Sequence, residues 1–426
     1  MSLWGAKGSM TTKEMHMKIS RRGFIGSTAA FAGTAAAALD VPKGSAKKAP
    51  KGAAKLPLSR MPAFAVAMAA VLAAVAVPSA AERGFVVVTD YVKADGKADV
   101  SDAIQKVIDE HPNRTIFFPD GTYLLSKPVS TPAHPEKSVD LQLSRYAVLK
   151  AAPGWTSSEA MVRLGGIHAA NIVWANGSVY SLSGGIIDCS GVANGVSIDS
   201  GRDTRVKGVV IRNAAVGLRI KNGANSGSSD CEISDLDITG NGATNSIGVL
   251  VEAYDNHIAN IRITRAMVGV KLVKGGNMLT NIHALFSSDC QAQTAVYGES
   301  VGFLDVSWAN RYRCCYSDHF STSFHLNGPS ILDACIAWWY GNAEFGRGKR
   351  RTAIKCPGKF LAHVTDLEIG FSGALAQNTV LEVGKDGGTG FLLHPIYNEG
   401  LVNDAKKVHL KHVVRLPLPG TSVPAK

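Results

Sequence analysis

Four tetrads, Gly195-Val196-Ser197-Ile198, Gly217-Leu218-Arg219-Ile220, Gly248-Val249-Leu250-Val251 and Gly269-Val270-Lys271-Leu272, recur at intervals of 22, 31 and 21 residues. The longer interval reads as one period plus an insertion, rich in Gly, Ser and Asn, around Gly223 to Asp230. Between the tetrads runs a second phrase: Val206 to Ile211, Ile233 to Ile238, Ile258 to Ile263 and Leu279 to Ala284. Each period therefore holds at least two short strands and a polar bend, and a unit this short buries its apolar side only by stacking on copies of itself. Within each strand, side chains alternate between core and solvent. Gly208, Asp235, Asn260 and Asn281 share one position at the bend. These residue types tolerate left-handed backbone, and stacked amides can hydrogen-bond along the axis. The expectation is an all-β fold, a single-stranded right-handed parallel β-helix.

A solenoid must close its open end. Near the start of the repeats, Asp99 is positioned to cap a helix whose Ile104, Val107 and Ile108 form one apolar stripe, and His111-Pro112 ends it. Thr115 to Phe118, Pro119-Asp120-Gly121 and Thr122 to Leu125 then read as strand, turn and strand. We expect an N-terminal capping helix followed by the first coils.

The formal net charge of +11 suggests a polyanion partner until it is located. Residues 1–84 carry twelve Lys and Arg against Glu14, Asp40 and Glu82, which leaves 33 basic and 31 acidic side chains for the rest. A nucleic-acid-binding face is therefore not expected on the repeat domain. Ser20-Arg21-Arg22-Gly23-Phe24-Ile25 and the Ala-rich run after it resemble a twin-arginine export signal. A second uncharged run, Met61 to Ala81, ends in Ser79-Ala80-Ala81, which suits signal-peptidase cleavage, and it also just reaches the length of a membrane anchor. The expected organisation is an export leader over 1–84 and the β-helix over 85–426. The protein is expected outside the bacterial cytoplasm, in the periplasm or beyond.

Cys315, Cys335 and Cys356 lie 20 and 21 residues apart, so in a solenoid of that period they are expected to stack as small buried hydrophobes. A chain of 426 residues does not need a disulfide framework to hold a core.

Three phrases carry a family likeness: Asp95-Gly96-Lys97-Ala98-Asp99-Val100-Ser101-Asp102-Ala103-Ile104-Gln105, Phe117-Phe118-Pro119-Asp120-Gly121-Thr122-Tyr123, and Gly184-Gly185-Ile186-Ile187-Asp188. Together they resemble the opening of the rhamnogalacturonase/epimerase-like pectate lyase domain of the pectin-lyase-fold superfamily, and the repeats extend the likeness to about residue 290. The resemblance implies a right-handed β-helix and, commonly, polysaccharide cleavage. It leaves the chemistry open, because one fold hosts many reactions. The Asn-Thr-Asp, Asp-Asp and Gly-His-Gly motifs of polygalacturonase-type hydrolases are absent, as are the Arg-x-Pro-x-x-Arg and Trp-x-Asp-His motifs of the best-known pectate lyases. Ser317-Asp318-His319 is a faint echo of the last. No catalytic residue transfers by motif.

The repeat register offers a separate route. Ser197, Arg219, Leu250 and Lys271 should form one outward line, with Asp199, Lys221, Glu252 and Val273 two residues further along each strand. For a hydrolase, Asp199 and Glu252 are the candidate acid and base, with Arg219 or Lys271 orienting an anionic sugar and Lys221 contacting substrate. At roughly 4.8 Å per coil, carboxylates two or three coils apart stand roughly 10 Å from each other, near the limit of inverting geometry. For a lyase, a basic residue takes the proton α to a uronate carboxylate, while a cation, Ca2+ among the options, neutralises that carboxylate. The same residues equally make a solvated, mutually compensating face. The second phrase offers Asp237, Arg262 and His283 on adjacent coils as substrate contacts. Past residue 300 rings accumulate, and Trp338-Trp339-Tyr340 cannot all face inward, so Trp338 and Trp339 are candidates for stacking on sugars.

These readings describe an exported carbohydrate-active enzyme, hydrolase or lyase, acting on a polysaccharide or oligosaccharide, with a non-catalytic carbohydrate-binding or cell-surface solenoid as the alternative. A homotrimer is compatible with either.

Overall fold

The computed structural model describes residues 84–132, 137–165, 180–222, 227–287, 296–339 and 350–357, and shorter strand segments from there to Arg415. The leader, with its arginine pair and the 61–81 run, lies outside the described residues, as does part of the insertion after residue 222.

The described residues from 84 onward form a parallel β-helix. All described strand pairs are parallel, gathered into one sheet of 21 strands (sheet A), one of 11 (sheet B) and a two-stranded pair, with the right-handed crossovers that parallel strands require. The path alternates between the sheets. Val216–Lys221 on sheet B leads to Glu232–Gly240 on sheet A, then Ile247–Glu252 on B, His257–Thr264 on A, Val268–Leu272 on B and Met278–Leu285 on A. The tetrads stack in register, Val196 on Leu218 on Val249 on Val270 on Phe303.

The recurring glycine has a steric cause. A Cβ on Gly217 would run into the carbonyl of Gly248 and the Ile238 methyl of sheet A, and one on Gly248 into the carbonyl of Gly269 and the Ile263 methyl. At this point the two sheets converge so closely that the apolar residues of sheet A fill the space a side chain would need. Inward residues from both sheets, such as Ile198, Ile220, Val251, Ile238, Ile263 and Phe303, form one continuous buried core.

The bend behaves as the residue types suggest. Gly208, Asp235, Asn260 and Asn281 hold φ of 66, 61, 56 and 52°, and Cys314 and Ala334 continue the line at 52 and 50°. Asn260 donates its amide to Asp235 at 3.1 Å, and Asn281 donates to Asn260 at 3.0 Å. A second ladder is fully buried. The side-chain oxygens of Asn256, Asn277 and Asn310 accept the backbone N–H of Cys231, Asn256 and Asn277 respectively, at 3.0–3.1 Å. It satisfies buried turn amides that have no strand partner.

The cap is helix α1, Ser101–Glu110, with Ile104, Val107 and Ile108 buried. Gln105 donates to the Ser130 carbonyl at 2.9 Å and accepts its N–H at 2.8 Å, so one amide takes the place of a further strand against the first edge of sheet B. The N-cap position falls on Val100, one residue later than expected. Asp99 instead accepts hydrogen bonds from the N–H and hydroxyl of both Ser101 and Ser126. Partial burial pushes its pKa up, but those bonds outweigh it and bring the group to about 2.

The cysteines need one correction. Cys315 and Cys335 stack on successive coils of sheet A just after the bend, both buried, but Cys356 lies in Arg351–Cys356 on sheet B. A uniform period does not survive the unequal turns between coils, so the 21-residue step from Cys335 lands on the other sheet.

Replacing Gly248 by Ala is expected to lower unfolding free energy by about 1–3 kcal/mol through overpacking. Chemical denaturation compared with an Ala substitution at an exposed strand position would measure it.

Candidate functional site

Two outward faces carry chemistry. On sheet B, Arg163, Ser197, Arg219, Leu250 and Lys271 lie in one register line, and Asp199, Lys221 and Glu252 in the next. The structure thus brings Asp199, Arg219, Lys221 and Glu252 onto one face, as the repeat implied. Their charges are already spent on one another. Asp199 is 2% exposed and is met by Arg163 Nε at 3.2 Å, Lys221 Nζ at 3.3 Å and the Ser197 hydroxyl at 3.0 Å. Glu252 is paired with Arg219 at 2.7 Å. Glu159 bridges Arg163 and Lys221 at 3.3 and 3.6 Å. Asp199 is therefore closed to a substrate in this geometry, which departs from its expected role as acid or base. Lys271 stays apart, separated from Arg219 by Leu250. Arg163, on the strand Ala160–Leu164, and Glu159 just before it fall outside the repeat pattern because that strand lacks the glycine that marks the later tetrads.

On sheet A, Asp237, Arg262, His283 and Tyr316 form a continuous outward row, each directly opposite the next. Arg262 grips Asp237 with two hydrogen bonds, Nε to Oδ1 at 3.2 Å and Nη2 to Oδ2 at 2.8 Å, on the exposed surface. His283 lies flat on Tyr316, ring centroids 4.3 Å apart and planes 2° from parallel. One residue row over, Asp318 is buried beside two imidazoles: His319 Nδ1 at 2.5 Å from Oδ1 and His283 Nε2 at 3.7 Å from Oδ2. Burial pushes the Asp318 carboxyl up, but the hydrogen bonds and charges of His283 and His319 prevail and hold it below the ordinary carboxylate range. Behind this group the Tyr297 hydroxyl donates to the His319 carbonyl at 2.7 Å. A concavity of about 390 Å³ runs along the row, lined by Asp235, Asp237, Asn260, Arg262, Asn281 and His283.

The left-handed residues Asp235, Asn260 and Asn281 line this concavity at the point where the long strands of sheet A turn. Asp237, Arg262 and His283 stand where the register placed them. In the sequence Asp318 and His319 stand out only as a faint motif echo and Tyr316 only as a member of an aromatic stretch, since the coil before them is interrupted and the repeat register does not reach them. His319 also takes a left-handed φ of 65°, which turns its ring back toward Asp318.

The two tryptophans separate. Trp338, opposite Asp318 in register, is half-buried on the outward face. Trp339 is wholly buried, its indole N–H donating to the Phe320 carbonyl at 2.6 Å, which corrects its expected place against a sugar. Among the described residues, no three His, Cys, Asp or Glu side chains converge in a way that could hold a metal ion.

Residues 85–292 match the family described as rhamnogalacturonase A/epimerase, pectate lyase-like. The likeness of this segment is to a family of the pectin-lyase-like superfamily. Among solved structures, the pre-mature gene product 12 of bacteriophage phi29 matches with a TM-score of 0.54 at 12% identity, covering 79% of this chain and 51% of that one. A mutant tailspike protein of E. coli bacteriophage HK620 in complex with a pentasaccharide matches with a TM-score of 0.52 at 12% identity, covering 79% and 65%. An alginate lyase from Paenibacillus sp. str. FPU-7 gives 0.48 at 13%, covering 66% and 97%. At these identities the likeness establishes the fold alone, and the chain spans less than two thirds of the phage proteins' length. No curated protein matches.

A carboxyl group with a depressed pKa contributes stability above the ordinary carboxylate range and loses it as pH falls through the folded value. Asp318→Asn is therefore expected to be less stable than wild type at neutral pH, with the difference shrinking below about pH 4. Thermal melting across that range, read by circular dichroism, checks the sign.

Proposed function

We propose that this protein is an exported bacterial enzyme that cleaves a uronate-containing polysaccharide or oligosaccharide by β-elimination on sheet A. The observation that carries the reading is the single outward row Arg262, His283 and Tyr316, with Asp318 behind the imidazole and a groove alongside. Elimination next to a uronate carboxylate needs a cation on that carboxylate, a base for the α-proton and a proton for the departing oxygen. Arg262 is suited to the first role, because its planar fork matches a carboxylate and Asp237 already occupies that position in the free protein. His283 supplies the base, oriented by Asp318. The C–H electron pair becomes the new double bond as the C–O bond breaks, and the Tyr316 hydroxyl gives its proton to the leaving glycosidic oxygen.

A Ca2+ ion serves as the neutralising charge in another form of this chemistry. The described residues do not make a cage for it, so the role is assigned to Arg262. Hydrolysis requires two available carboxylates, and those on sheet B are bound to cations. The pectate lyase-like family and the sugar complex of the HK620 tailspike support carbohydrate as the ligand class. The arginine pair and apolar run of the leader support export.

Purified protein should be incubated with a panel of polysaccharides while ultraviolet absorbance of the unsaturated product and reducing ends are followed together. Both signals are expected to rise, and His283→Ala and Arg262→Gln are expected to reduce kcat/KM by about a hundredfold or more. Reducing ends without the absorbance would assign hydrolysis, and binding with neither signal would make the solenoid a non-catalytic module.

A further inference from the structure

A second concavity lies elsewhere on sheet A. It occupies about 430 Å³ on the part of sheet A that precedes the bend, and its lining includes His257, Met278, Thr280, Arg311, Arg313 and Ile331. Register places His257, Met278, Arg311 and Ile331 in one outward row on four successive coils. Thr280, Arg313 and Asp333 run beside it.

The composition of this row changes along the axis. In earlier coils the same face is occupied by matched charges, Arg205 with Glu232 at 3.0 Å and Lys207 with Asp235 at 3.9 Å. From His257 onward the row His257, Met278, Arg311 and Ile331 holds no acid, and the acid beside it is Asp333. Arg311 forms no ion pair among the described residues, and it projects between two apolar side chains that are each 40% exposed, Met278 and Ile331. Arg313 meets Asp333 only at 3.7 Å on the open surface. The turns that lead into these strands present rings to solvent. Trp308 is 60% exposed against the Gly275 turn, and Tyr254 lies beneath the Lys274 ammonium at 5.5 Å.

Apolar steps alternating with a forked cation, beside exposed rings, match one kind of ligand: a chain with apolar faces and anions at intervals. A sugar ring offers C–H faces to Met, Ile and aromatic surfaces, and a uronate carboxylate offers two oxygens to a guanidinium. At roughly 4.8 Å per coil, the row from His257 to Ile331 extends roughly 14 Å, enough for a short run of sugar rings. We infer that this groove is a second, non-catalytic binding site for an anionic glycan, separated from the proposed cleavage row by the Asp235, Asn260 and Asn281 bend. Its ligand class rests on the carbohydrate reading above, but its residues take no part in the proposed chemistry. A polymer held here stays on the solenoid between cleavage events, which raises its local concentration at the cleavage row.

The test uses the full chain carrying His283→Ala, so that ligand is not consumed, titrated calorimetrically with an alginate oligosaccharide fraction and with neutral dextran. Saturable binding to the alginate and none to dextran is expected. Arg311→Gln should weaken that binding about tenfold, as should loss of one charge-assisted hydrogen bond generally, and Arg313→Gln in addition should weaken it further. Arg311→Lys, which keeps the charge but loses the fork, should fall between. Melting curves establish that each variant is folded. Unchanged affinity in Arg311→Gln would overturn the proposal. So would sedimentation showing oligomers that Met278→Lys dissolves, because the groove would then be an interface between copies. Absence of turnover in the wild type would refute the elimination reading alone and leave this titration as the judge of the groove.

Discussion

The structure depends on the close approach of sheets A and B at the glycine line. Gly195, Gly217, Gly248 and Gly269 each bring the backbone of sheet B against the next coil's carbonyl and the apolar side chains of sheet A. Because no Cβ fits there, the core has one width along this stretch, and each coil is held in the same rotational phase as the coil beneath it. Register follows from that phase, and every outward row is a consequence of register. The bend ladder Asp235, Asn260 and Asn281 then runs along the junction of the two halves of sheet A, with one groove on either side of it.

Outward residues on such a frame have partners a fixed step away, and the two faces use this differently. On sheet B, Asp199, Arg163, Lys221, Glu159, Arg219 and Glu252 neutralise one another, and Asp199 is buried in the process. A buried carboxylate requires such partners, since an unpaired one costs several kcal/mol or changes its protonation state. On sheet A the ion pair Asp237–Arg262 is exposed, where pairing is weak and readily exchanged for a ligand's carboxylate. The difference in burial, rather than in residue type, makes sheet A the better candidate.

Much of the fold was legible because a repeat converts sequence spacing into spatial neighbours. Gly217, Gly248 and Gly269 fell on one line, and Asp237, Arg262 and His283 on another, from spacing alone. Legibility failed where coils differ in length. Cys356 was placed with Cys315 and Cys335 by counting, yet lies on the other sheet. The Asn256, Asn277 and Asn310 ladder went unnoticed because its steps are unequal, although an Asn recurs immediately before His257, Met278 and Arg311. Trp339 was assigned to the surface with Trp338, and only strand parity relative to the core separates them.

The sequence by itself determined the parallel solenoid, its phase over the four glycine coils, the left-handed bend and the rows of outward side chains, because each depends on local residue type repeated at a near-constant interval. Tertiary structure alone decided which charges are buried, how Asp318 comes to lie between His283 and His319, and where the surface is concave. Those properties depend on the unequal turns between coils and on the angle at which the two halves of sheet A meet. Neither quantity is written in the spacing of the repeats.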